Sequence, residues 1–101
     1  MHPAGPPRRE PVGGGTVLRR RPVPTRVLAD LLIVARPSDG APVVLAPTAA
    51  VVWHLLEPWT TPAEIDRRLS VAYAEIAEED RVNTRTEILT TLQDEDLVER
   101  G

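Results

Sequence analysis

From Thr25 onward the chain alternates short apolar runs with turn residues: T-R-V-L-A, Asp30, L-L-I-V-A-R, P-S-D-G, then A-P-V-V-L-A. Pro37-Ser38-Asp39-Gly40 is a strong turn signal, because proline is preset for the turn and glycine is free to take positive φ. Residues 31–36 and 43–46 are therefore expected to pair as a hairpin, with residues 25–29 as a first strand turned at Asp30. Pro42 cannot donate a ladder hydrogen bond, which places the third strand at a sheet edge.

The rhythm then changes. Ala49, Val52, Trp53 and Leu56 fall at i, i+3, i+4 and i+7, the spacing of one helix face. Pro47 suits the start of that helix, since its missing N–H is one that the first turn leaves unpaired anyway. Glu57-Pro58-Trp59-Thr60 breaks the pattern, and Thr61-Pro62-Ala63-Glu64 reads as a capping box in which hydroxyl and carboxylate each satisfy an orphan amide. The second helix is expected to bury Ile65, Leu69, Tyr73 and Ile76 and to end in the acidic, solvated run A-E-I-A-E-E-D at 74–80. Thr84-Arg85-Thr86-Glu87, a further capping box, is expected to open a third helix with apolar Ile88, Leu89 and Leu92. The predicted fold class is α+β, a three-stranded antiparallel sheet followed by three helices.

With 101 residues, 42% of them hydrophobic but only 3% aromatic, the chain can build one small aliphatic core. It has no cysteine, which removes disulfides and thiolate chemistry and fits a cytoplasmic protein. No apolar run approaches the roughly 20 residues that cross a membrane, and the start lacks a hydrophobic signal core. Charge is uneven: residues 1–30 carry a net +4 and residues 31–101 a net −7. Residues 1–24, rich in Pro, Gly and Arg, are expected to form a disordered arm preceding a folded domain at 25–101. All twelve basic residues are arginines, a usage that suggests a GC-rich bacterial genome.

Catalytic constellations are scarce. His54 has no cysteine or second histidine to join it in a triad or zinc site, and His54 with Glu57, one turn apart, reads as an exposed helix face. The acidic groups 78–80 and 94–96 lack the glycine-punctuated spacing of a calcium loop. Gly13-Gly14-Gly15 precedes no strand–helix unit, so no phosphate loop is expected. Neither catalytic nor metal-binding residues nor a cofactor are predicted, and the chain is not expected to be an enzyme. Two features remain: the free edge of the third strand, a template for another chain, and the amphipathic third helix. Side by side they would form a site for an extended peptide.

L-A-P-T-A-A-V-V-W-H-L-L-E, then T-P-A-E-I-D-R-R-L, then a third helix ending D-L-V-E resemble the PqqD family. Its members are the leader-binding recognition elements of pathways that modify ribosomally synthesised peptides (RiPPs). Leu45, Thr48, Ala49, Trp53, Leu55, Leu56 and Glu57 match the family's corner motif. Ala46 stands where the family has asparagine and Pro58 where it has glycine, so the helix lacks its usual cap. The resemblance runs from about Thr25 to Glu99.

It implies a winged helix-turn-helix in which the leader of a precursor peptide adds as a further strand. Val43, Val44 and Leu45 would supply the strand edge, and Arg85, Ile88, Leu89 and Leu92 the helix wall, with Arg85 meeting an acidic leader residue. The implied partners are the precursor leader and a modifying enzyme or leader peptidase, and the domain would do no chemistry itself. The alternative is a winged-helix DNA-binding regulator. Charge argues against nucleic acid, because the predicted third helix sets Arg85 against Glu87, Asp94, Glu95 and Asp96.

Overall fold

The computed structural model describes residues 15–101. Eight elements follow one another: β1 (Leu18–Arg20), β2 (Thr25–Leu28), β3 (Leu31–Ala35), β4 (Pro42–Leu45), α1 (Pro47–Leu55), α2 (Pro62–Ala72), α3 (Glu78–Asp94) and β5 (Val98–Arg100). The fold is α+β, with three helices and two antiparallel sheets, one ordered β2-β3-β4 and the other β1-β5. Strands precede helices only in part, because β5 follows α3.

The β2-β3-β4 meander matches the apolar runs and their turns. Leu28 pairs with Leu31 across a two-residue turn in which Ala29 takes φ 56°. The β3–β4 turn is closed by Arg36 N–H to Ala41 O, 2.8 Å, and by Gly40 N–H to Arg36 O, 2.7 Å, with Gly40 at φ 73°. Side chains alternate across a strand, so Leu32, Val34 and Leu45 enter the core while Ile33 and Val44, opposite each other, face outward.

The boundary expected at residue 24 moves toward the N-terminus. Residues 1–14 of the expected arm lie outside the described residues, but Leu18 is fully buried and β1 pairs with β5 through Leu18–Arg100, Arg19–Glu99 and Arg20–Val98. On its other side β1 is bonded to the loop after α1, by Leu18 N–H to Thr60 O at 2.7 Å and Thr60 N–H to Leu18 O at 2.9 Å. The run Arg19-Arg20-Arg21 looks like a solvated tail because its partners are distant in sequence: Arg19 and Arg21 hold Glu99, Arg21 also holds Asp96, and Arg20 pairs with Glu57. The Arg19 guanidinium further lies 4.5 Å from the centre of the Trp59 ring.

The helix expectations hold at α1 and at the start of α2. Val52, Trp53 and Leu56 are buried, and Ala46 occupies the cap position of α1 in extended backbone with no side-chain hydrogen bond. Thr61 Oγ1 accepts from Glu64 N–H, 3.1 Å, and Pro62 opens α2. The Glu64 carboxylate pairs forward with Arg67 and Arg68, leaving the box one-sided. Arg67 above all, with Arg68 helping, holds its carboxyl below the usual glutamate range.

Two boundaries differ from expectation. α2 ends at Ala72, with Tyr73 half-buried and Ile76 40% exposed. α3 starts at Glu78, so Thr84-Arg85-Thr86-Glu87 lies in mid-helix, and the Thr86 hydroxyl donates to Val82 O one turn back. The acidic run expected to close α2 is the first turn of α3, where Glu78, Glu79 and Asp80 face the positive end of the helix dipole. The Arg81 guanidinium ties the two helices by donating to the carbonyls of Tyr73 and Ile76. At the other end, Asp96 N–H bonds Gln93 O and Leu97 N–H bonds Leu92 O, a Schellman closure with Asp96 at φ 59°.

Candidate functional site

Hydrogen-bond parity fixes what β4 offers. Arg36 N–H bonds Ala41 O, so along the same ladder Val43 and Leu45 turn their backbone groups toward β3. The intervening residues, Pro42 and Val44, turn theirs away. Pro42 has no N–H, which leaves Val44 N–H as the donor on that edge and the carbonyls of Pro42 and Val44 as acceptors. Among the described residues no strand lies beyond β4. The Val44 side chain is 57% exposed on the outer face.

Side chains of α3 reach residues flanking both ends of β4. At the hairpin turn Arg36 donates to Glu95 at 2.7 Å, joining the end of β3 to the last turn of α3. At the other end Thr48, just beyond β4, lines a small cleft with Leu69, Tyr73, Ile76, Arg81 and Thr84. Arg36 also holds Asp39 through hydrogen bonds of 2.9 and 2.8 Å. These bonds, with the Ala41 N–H at 3.0 Å, keep the Asp39 carboxyl down at about 2.

The expected site residues divide in two. Val44 is exposed and Val43 and Ile88 are half-buried, packing against the core from its margin. Leu45, Leu89 and Leu92 are 3%, 2% and 0% exposed, so they are core and can shape a groove only from beneath. Arg85 was expected to meet a carboxylate from outside the chain. Its Nε and Nη2 instead donate to the two oxygens of Asp66 on α2, at 2.7 and 2.8 Å. Asp66 sits one turn before Leu69 on a helix read for its apolar stripe, and the α2–α3 crossing that pairs it with Arg85 is a long-range relation.

A second concavity, of about 420 Å³, lies between β1, β2 and α1 and is lined by Arg20, Arg21, Val23, Trp53, His54 and Glu57 among others. Sequence reading missed it because Arg19-Arg20-Arg21 was assigned to the arm. Its cations are occupied: Arg20 pairs with Glu57, donates to Trp53 O at 3.3 Å, and stands 5.7 Å from the centre of the Trp53 ring. Among the described residues no group of three or more potential ligands could hold a metal, and no helix is long and apolar enough to cross a membrane.

Comparison of the chain with protein-family models, curated proteins and solved structures gives no match.

Proposed function

We propose that this protein is a non-catalytic, winged-helix-like peptide-binding domain of the RiPP recognition type. It takes the leader of a ribosomally synthesised precursor as an added strand on β4 and presents it to a modifying enzyme or leader peptidase. The observation that carries this reading is the open β4 edge, with one outward donor at Val44 and acceptors at Pro42 and Val44. Such an edge gives main-chain affinity, and exposed Val44 with half-buried Ile88 on α3 would give the apolar contacts that select side chains. A tethered leader raises the effective concentration of the core peptide at the partner enzyme, which needs no catalytic group here.

DNA binding is disfavoured by the same geometry. α3 opens with Glu78, Glu79 and Asp80, and its two arginines are engaged, Arg85 by Asp66 and Arg81 by backbone carbonyls. A recognition helix needs free cations toward phosphate.

The test is a calorimetric titration of the full chain with a synthetic leader from a precursor encoded beside it, against duplex DNA as control. Val44→Pro removes the outward donor without touching the β3–β4 ladder, and it should weaken leader binding by about tenfold or more. The thermal midpoint should barely move. Undiminished leader binding by Val44→Pro, or salt-sensitive DNA binding with an indifferent leader, would overturn the proposal.

A further inference from the structure

We propose that the protein pairs with a second copy of itself through β2, so that two three-stranded sheets join as one of six strands with the β4 edges left free at its ends. All four residues of β2 are exposed, including Val27 at 71% and Leu28 at 60%. Val27 is the informative one. It sits opposite Leu32, on the face that enters the core, yet the core does not extend to it.

Backbone parity gives this edge a self-complementary centre. Ala35 N–H bonds Pro24 O at 3.0 Å, so Pro24, Arg26 and Leu28 turn toward β3 while Thr25 and Val27 point their N–H and C=O groups outward. A two-fold axis through Val27 therefore lets each valine exchange both hydrogen bonds with its counterpart and covers both side chains. The neighbouring registers are worse. Centring on Arg26 sets like charges directly opposite, which destabilises a strand pair. Centring on Leu28 sets Arg26 opposite Asp30 but keeps only the Leu28 pair within the strands, against three in-strand pairs with Val27 on the axis.

Charge favours the Val27 register over one centred on Arg26. Arg19, Arg20, Arg21, Arg36, Arg67, Arg68, Arg81 and Arg85 all have partners within the chain. Among the described residues Arg26, on the outer face of β2, makes none of these contacts, and neither does Asp30 in the adjoining turn. With Val27 on the axis, Arg26 stands opposite Leu28 of the second copy and diagonal to that copy's Asp30, within reach of a long side chain. The other diagonal neighbour of Arg26 is Arg26 of the second copy, so in the proposed dimer each arginine turns from its counterpart toward that copy's Asp30. A two-fold, isologous contact of this kind closes on itself and does not propagate.

Sedimentation velocity on the full chain over a concentration series tests this, and the expected species is a dimer. Val27→Pro removes the outward donor at the axis and keeps the β2–β3 ladder, and it should give monomer with unchanged circular dichroism. Arg26→Asp or Asp30→Arg alone should weaken association about tenfold, because symmetry applies each change twice, and the double reversal should restore it. The charge pair decides the matter even if Val27→Pro fails to fold. Val44→Pro, on the opposite edge, should leave the dimer intact. A monomer up to ~1 mM, a dimer indifferent to the reversals, or one broken by Val44→Pro would overturn the proposal.

Discussion

Arg85 on α3 grips Asp66 on α2 through two parallel hydrogen bonds, and only 11% of the arginine side chain is exposed. The pair is a clasp between the two helices, more than a free cation awaiting a ligand. Asp66→Ala leaves a part-buried guanidinium uncompensated and should cost about 2–3 kcal/mol. Urea unfolding should show a lower midpoint with an unchanged slope. Arg85→Lys should recover only part of the loss, since an ammonium cannot match both carboxylate oxygens.

Leu18 tests whether β1 belongs to the body. A fully buried leucine cut back to alanine should cost about 2–5 kcal/mol. Val17→Ala, next to it but 40% exposed, should change the thermal midpoint little. Equal effects of the two would contradict the buried placement of β1.

Ala46 caps α1 with suitable extended backbone but no side-chain acceptor. Ala46→Asp should raise stability by about 1 kcal/mol, by supplying an acceptor for the orphan amides and a negative charge at the helix N-terminus. Differential scanning calorimetry would register the rise in midpoint.

Asp39 gives a pH prediction. Arg36 first, then the Ala41 amide, lower its folded pKa to about 2 from an ordinary 3.8. A depressed carboxyl stabilises the fold above its unfolded pKa, and that contribution is lost as pH falls through its folded pKa. The loosening of the β3–β4 turn should therefore run from about pH 4 down to about 2. Carboxyl-carbon NMR should place the Asp39 midpoint near 2 in the native protein and return it toward 3.8 in Arg36→Ala.

Local signals were legible where the chemistry is local. The Pro37–Gly40 turn, the strand-to-helix corner at Pro47 and the Thr61 cap each depend on residues within a few positions, and the structure has them where the sequence puts them. β1 was hidden because its only deep anchor is Leu18 and the carboxylates that neutralise its arginines lie in the last residues of the chain. The Thr84–Glu87 box misled for a related reason. Thr and Glu three apart cap a helix only where the threonine backbone is extended, and the three acidic residues at 78–80 had already started α3. Depth was not legible on α3, since helical spacing puts Ile88, Leu89 and Leu92 on one side but cannot say how deep each sits. Leu89 and Leu92 belong to the core, and only Ile88 stays at its margin.

The β1–β5 ladder has a kinetic meaning. Its cross-strand pair Arg19–Glu99 joins residues 80 positions apart, whereas the β2-β3-β4 meander closes through turns of a few residues. Loop-closure entropy makes such a remote pairing late to form. The meander and helices should thus assemble first, and β1 should zip onto β5 last, acting as a latch on a body already shaped. Amide exchange should show the reverse order, with the Arg19–Glu99 end releasing before the Leu32–Leu45 ladder opens.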